Sequence, residues 1–210
     1  MTSGDERYVL TISGWYDLQR DTGQLAVDFP GGAISHLDEV LTPDFLFFRA
    51  KGMPNLPDGY WGSTPRDEVR AHYLLRSPGN EPEYVLRQVS EIKEAARMVR
   101  SEQVRGAPAT RYSGLLPAET LVRGIAGRSQ DQVAAVKAVL GEGGGAETDV
   151  WVDHHNRVVR VVIQIPGEAF GGMGVAVDMQ LFGYGTAGRV TIPPAGSRLP
   201  AVAPTGILVG

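Results

Sequence analysis

Histidines, carboxylates and glycine-rich turns are the means by which this 210-residue chain could do chemistry, because it contains no cysteine. Disulfides, thiol nucleophiles and thiolate metal sites are thereby excluded. Two histidines are adjacent, in Trp151-Val152-Asp153-His154-His155-Asn156-Arg157. Neighbouring side chains on a strand or turn point apart, so His154 and His155 read as the polar tips of a hairpin rather than a chelating pair. A Ser-His-Asp triad would call on His36 or His72, yet no Gly-x-Ser-x-Gly elbow stands between a strand and a helix. Gly141-Glu142-Gly143-Gly144-Gly145 lacks the Lys-Ser/Thr ending of a phosphate loop and sets Glu142 where a phosphate would be repelled, so it reads as a helix stop. Phe170-Gly171-Gly172-Met173-Gly174 is likewise a turn signal. Asp38, Glu39 and Asp44 are kept apart by strand alternation and by Pro43. The sequence predicts no catalytic residue, no metal site and no cofactor.

Charge excludes another class. A net charge of -4 lacks the basic face with which proteins replace phosphate counterions, so no nucleic-acid partner is expected. With 42% hydrophobic and 21% charged residues the chain should fold, and at this length about 70% of its unfolded surface can be buried. No run of about 20 apolar residues is present to cross a membrane as a helix.

The elements that position these residues are mostly strands. Tyr8, Leu10 and Ile12 share one face, and the chain turns at Asp21-Thr22-Gly23 into Leu25, Val27 and Phe29, which predicts a hairpin. Further strands are predicted at 33–40, 45–51 and 58–62. A helix follows over 82–92, with Tyr84, Val85, Gln88, Val89 and Ile92 forming its stripe. Strands resume at 94–105 and 108–116, joined at Arg105-Gly106-Ala107-Pro108 and carrying charge on alternate residues. Two short helices are predicted over 117–125 and 129–140. The closing strands are 150–152, 158–165, 175–182 and 190–192. In 158–165, Val158 and Val162 are expected on one face and Val159, Val161, Ile163 and Ile165 on the other. Residues 1–196 are expected to form one domain, and the Gly-, Ala- and Pro-rich residues 197–210 a loosely ordered tail.

The apolar content is the informative part. Phe45, Leu46, Phe47 and Phe48 crowd one short strand, with Met53, Trp61, Leu86, Val89 and Met98 nearby in sequence. That is more than a single core face needs, and the surplus either fills a core or lines a cavity.

The order of features is also distinctive. A strand meander, a helix after Asn80-Glu81-Pro82-Glu83, the run Val104 to Gly114, a two-helix insert, Asp149-Val150-Trp151-Val152-Asp153 with Asn156-Arg157-Val158-Val159-Arg160, then Leu181-Phe182-Gly183 and Val190-Thr191-Ile192-Pro193-Pro194 follow one another over residues 7–196. In this order the chain resembles actinobacterial envelope lipoproteins of the LppX/LprG type, within the LolA-like superfamily. The resemblance implies an α+β fold: an open, curved antiparallel half-barrel with helices covering its concave face. It implies a non-enzymatic envelope lipoprotein that binds or carries a lipid or other acylated ligand in the cavity between sheet and helices. Phe45, Phe47, Trp61, Leu86 and Val89 are the residues expected to border that cavity. The alternative function is an extracytoplasmic regulator or sensor that binds a membrane-protein partner. The family pattern also carries a leader and a lipid-bearing cysteine, expected upstream of Thr2 with Met1 an added start, which would anchor the protein outside the cytoplasmic membrane. Family members often have an amphipathic helix before the first strand, whereas here a strand is expected from Arg7.

Overall fold

The computed structural model describes residues 11–28, 34–53, 55–66, 82–90, 92, 97–117, 120, 144–165, 175–186 and 188–201. The expectations placed on residues 1–10, on His72, on the helix of 129–140, on that of 117–125 apart from Pro117 and Thr120, and on Phe170 to Gly174 lie outside them. The chain divides into two compact units, Val9–Glu83 with Gly185–Gly210, and Tyr84–Tyr184 with Met1–Tyr8.

The first unit is built on β1 (Thr11–Asp17), β2 (Thr22–Asp28), β3 (His36–Leu41), β4 (Phe45–Arg49), β5 (Trp61–Pro65) and β11 (Arg198–Pro200), in the spatial order β1-β2-β3-β4-β5-β11. Every pairing is antiparallel except that of β11 with β5. The β1–β2 turn falls on residues 18–21, slightly earlier than predicted. Asp17 accepts the amides of Gln19 and Arg20 at 3.0 and 3.1 Å, and Asp21 takes the left-handed conformation (φ 52°) that closes the loop. Pleating then sorts the side chains. Leu25, Val27, Leu37, Leu41, Leu46 and Phe48 form a buried core cluster on one face, with Ile12, Tyr16 and Leu199 packed against it. Beside that cluster, Arg66 is 1% exposed and donates to the Thr42 carbonyl at 2.9 Å, the Tyr16 hydroxyl at 3.3 Å and Asp21 at 3.1 Å. Tyr16 in turn donates to Asp21.

Two expectations change at the C-terminal end. Residues 190–192 form no strand. Pro193 and Pro194 lack amide hydrogens, and the chain pairs with the sheet only after the 3-10 turn Ala195–Ser197. Residues 198–200, expected in the loose tail, are instead strand β11. Leu199 anchors it in the core, and the Ala201 amide donates to the Ser63 carbonyl at 3.2 Å.

The other unit holds most of α1 (Pro82–Val89) and β6 (Arg97–Val104), β7 (Ala107–Pro117), β8 (Gly145–Asp153), β9 (Val158–Ile165) and β10 (Val175–Gln180), an antiparallel sheet in the order β10-β9-β8-β7-β6. Neither sheet closes on itself among the described residues, and helices covering a concave face are not among the described elements. The helix is shorter than predicted. It ends at Val89, where the Ser90 hydroxyl takes the Arg87 carbonyl at 2.7 Å. Val85 and Gln88 are its buried residues.

Turn chemistry fixes the register of this sheet. Arg105 (φ 52°) and Gly106 (φ 79°) are both left-handed, the requirement of a two-residue type I′ hairpin between Val104 and Ala107. Asp153 caps the β8–β9 turn, accepting the amides of His155 (2.8 Å) and Arg157 (3.0 Å), and Asn156 supplies a left-handed residue (φ 58°). His154 and His155 are exposed at this hairpin tip, as the sequence predicts, but their side chains do not point apart: the ring centroids lie 3.8 Å from each other. Val159 departs from expectation. A register shift between Trp151 and Val152 turns it to the side of Val162, where both pack on Val104, Ala109 and Trp151. The charge predicted on alternate residues of β6 and β7 forms a network around that small cluster. Trp151 donates to Glu102 at 2.9 Å, Arg111 donates to Asp149 at 2.6 Å, and Arg111 and Arg160 lie over the indole at 5.4 and 4.6 Å.

Candidate functional site

Phe45 and Phe47 project from the face of β4 opposite to Leu46 and Phe48, because side chains alternate along a strand. Their rings stack with centroids 6.0 Å apart and an interplanar angle of 26°. Phe47 is 4% exposed and Phe45 43% exposed, so the pair runs from covered sheet to surface. Trp61 lies on the same face of β5, since the Phe48–Gly62 pairing places Trp61 one step on, across from Arg49. The structure thus brings together three of the five residues expected at the site. Leu86 and Val89 are half-buried on α1, in the other unit.

The residues missed by sequence reasoning are basic. The Arg49 guanidinium lies over the Trp61 ring at 4.6 Å, and that of Arg198 over the Phe47 ring at 4.9 Å. Arg49 shares strand parity with Phe45 and Phe47, a signal legible in the sequence. Arg198 had none, since its place depends on pairing with Trp61 across a long loop.

A carboxylate and histidine chain borders the aromatic face. Arg49 donates to Asp38 at 2.8 Å, while His36 reaches Asp28 at 2.6 Å through Nδ1 and Asp38 at 3.3 Å through Nε2. The hydrogen bond with Asp28 raises the His36 pKa above its usual value, against the opposing effect of partial burial and with help from Asp38. Burial pushes the Asp38 carboxyl up, but the hydrogen bonds from Arg49 and His36 together outweigh it and hold the group below the usual range. Asp38 and Glu39 occupy opposite faces of β3, and Glu39 is buried on the core side.

Chemically this is a flat aromatic surface with guanidiniums stacked on it. Each ring face attracts the cation above it, and a stacked guanidinium still directs N–H groups outward for an anion. Among the described residues, no group of three or more His, Asp or Glu could hold a metal ion.

No family model and no curated protein matches the chain. Among solved structures the chain is similar to lipoprotein LppX from Mycobacterium tuberculosis, at 12% identity over 88% of this chain and 87% of that one, with a TM-score of 0.46. It is also similar to LprF from Mycobacterium bovis, at 16% identity over 89% and 88% of the two chains, again with a TM-score of 0.46. LppX is of the type that the order of sequence features resembles.

Proposed function

We propose that this protein is a non-enzymatic lipoprotein of the cell envelope that binds or carries a lipid or other acylated molecule, with Phe45, Phe47, Trp61, Leu86 and Val89 bordering the apolar site. The reading takes residues 1–196, together with the β11 segment Arg198–Pro200, as one LolA-like domain, a curved half-barrel whose helices cover its concave face, held outside the cytoplasmic membrane by a lipid anchor. One observation carries it: the β1–β5 and β11 sheet packs a core cluster on one face and still devotes Phe45, Phe47 and Trp61 to the other. A sheet needs one packed face to be stable, and on the second face Phe45, 43% exposed, and the half-buried Trp61 keep apolar ring surface open beside the covered Phe47. For a sixteen-carbon chain, roughly 0.8 kcal/mol per methylene amounts to about 12 kcal/mol of gross transfer energy before ordering costs, enough for binding without any polar group.

Native mass spectrometry of the protein purified from bacterial envelope tests the reading. The expected result is a protein population carrying an added lipid mass, reduced by Phe45→Asp at the exposed end of the aromatic pair. Bare protein mass alone, with no uptake of a fluorescent acyl probe, would overturn it.

A further inference from the structure

The register of the second sheet gathers three chain reversals at one end. Val104 pairs with Ala107, Ala109 with Asp153, Val152 with Val158 and Gln180 with Arg160, so the β6–β7 hairpin, the β8–β9 hairpin and the segment leaving β10 all emerge there. That segment, Leu181 to Tyr184, is fastened to β9. The Leu181 amide donates to the Val159 carbonyl at 2.9 Å, the Tyr184 hydroxyl donates to the Val158 carbonyl, and Gly183 between them takes the left-handed conformation (φ 65°). Phe182 is nonetheless 64% exposed, the most exposed large apolar side chain among the described residues, and Tyr184 is 39% exposed. Hydrogen bonds on either side of Phe182 hold its ring out in water, where an unpartnered apolar ring is costly.

Cations lie on both rings. The Arg105 guanidinium, from the β6–β7 turn, is 4.0 Å over Phe182, and that of Arg157 is 4.8 Å over Tyr184. Arg157 is paired with Asp153 at 2.7 Å, whereas among the described residues no carboxylate pairs with Arg105. Farther into the sheet Arg160 pairs with Asp178 at 2.5 Å and Arg100 with Glu102 at 2.6 Å. The charged side chains of the tip are thus Arg105, Arg157 and Asp153, a positive balance in a chain of net charge -4, with the exposed His154 and His155 beside them. The first sheet offers a contrast. Its exposed Leu18 and Phe45 each follow an aspartate, Asp17 and Asp44.

We propose that this end of the second sheet docks on an anionic phospholipid surface, with Phe182 and Tyr184 entering the headgroup layer and Arg105 meeting lipid phosphate. The size of the patch points to lipid. An aromatic side chain carries about 150–250 Å² of surface, so these two leave roughly 200 Å² open, well short of the about 800 Å² per partner that a stable protein interface needs. A fluid lipid surface requires no matching shape. The 4.0 Å stacking also sets guanidinium and ring at one depth, within the about 5–10 Å that interfacial side chains penetrate, and a stacked guanidinium keeps its N–H edge for phosphate oxygens. This contact is separate from the acyl-binding reading, whose residues lie on the first sheet and α1.

Flotation of the full chain with vesicles tests it, using equal parts phosphatidylglycerol and phosphatidylcholine against phosphatidylcholine alone. The mixed vesicles should bind the protein at least about fivefold better, a preference that high salt removes, since one arginine near an anionic surface contributes a factor of about five. Arg105→Gln should abolish most of that preference, and Arg105→Lys, which keeps the charge, should retain it. Phe182→Ser should weaken binding to mixed vesicles about tenfold. Phe182→Trp should bind at least as well as wild type, and the emission it adds should shift to the blue with mixed vesicles. Leu18→Ser, beside Asp17 on the first sheet, should bind like wild type. Equal binding to the two vesicle types, or mixed-vesicle binding untouched by Phe182→Ser and Arg105→Gln, overturns the proposal. A dimer in sedimentation velocity that Phe182→Ser dissolves overturns it too, and assigns the ring to a second copy of the chain. Binding to neither vesicle type overturns it and leaves the acyl-binding reading to its own test.

Discussion

At Gly62 the core face of the first sheet leaves no room for a side chain. A Cβ built there would lie 2.3 Å from Cζ, 2.4 Å from Cε2 and 3.0 Å from Cε1 of Phe48. Carbon atoms pack at about 3.5–4.0 Å, so Gly62→Ala must displace the ring by more than about 1 Å. The ring cannot swing aside cheaply, because Phe48 is fully buried among Leu25, Leu37, Leu46 and their neighbours. Overpacking of this kind costs about 1–3 kcal/mol. Alanine returns up to about 1 kcal/mol by restricting the unfolded chain, which leaves a net loss of about 1–2 kcal/mol. For a chain of this length that is a fall of roughly 2–8 °C in Tm. Scanning calorimetry with urea titration measures it. Gly196→Ala is the control, since a Cβ at Gly196 meets nothing within 4 Å and its stability should stay near wild type. Phe48→Leu removes the atoms that clash, so the double variant should be more stable than the sum of the single losses by about 1 kcal/mol. A Gly62→Ala protein as stable as wild type, or a cost undiminished in the Phe48→Leu background, refutes the claim that ring and glycine pack as one unit.

Three further outcomes follow from the polar groups. Asp21→Asn keeps the side-chain shape and tolerates the left-handed backbone at φ 52° but removes a carboxylate from the buried Arg66, so the urea midpoint should fall by an amount equivalent to about 2 kcal/mol. Asp153 has its pKa lowered to about 2, chiefly by its side-chain hydrogen bond with Arg157, so it contributes stability above its unfolded value of 3.8 that is lost as pH falls through about 2; Asp153→Asn should flatten that part of an acid-unfolding curve, and an unchanged curve would refute the assignment. His36 has its pKa raised, so its contribution is fully present below the unfolded value of 6.5 and disappears as pH rises through the folded one. The stability difference between wild type and His36→Gln should therefore shrink as pH rises above 6.5, a small effect at an exposed site, and a difference that grows with pH would reverse the argument.

What the sequence disclosed, and what it withheld, follows from the range of the forces involved. The crowding of four apolar residues at 45–48 was enough to show more apolar surface than one core face needs, and the structure divides it between two faces. Local turn chemistry was likewise legible at Arg105-Gly106 and at Asp153 to Asn156, where left-handed backbone and side-chain caps act over a few residues. Val159 was misplaced because a bulge breaks the two-residue period on which its assignment rested, and the register shift that causes it lies across the pair of strands rather than along one. The helix over 82–92 was right in kind and long by three residues, since its stop is a serine hydroxyl on the Arg87 carbonyl and not a glycine or proline.

The same distinction separates the two halves of the candidate site. The aromatic residues sit on neighbouring strands, and the register of β4 with β5 brings Phe45, Phe47 and Trp61 to one surface. Arg198 reaches that surface from more than a hundred residues away, by a parallel pairing of three residues with β5 that begins just after a pair of prolines. Leu199 alternates into the core and thereby fixes Arg198 and Pro200 on the aromatic side. Composition marks such a segment as tail, because Ala, Gly and Pro give it no period of its own. Its order comes from the one leucine that the core accepts, and replacing that leucine by a polar residue should release Arg198 from Phe47 before it disturbs any antiparallel pair of the sheet.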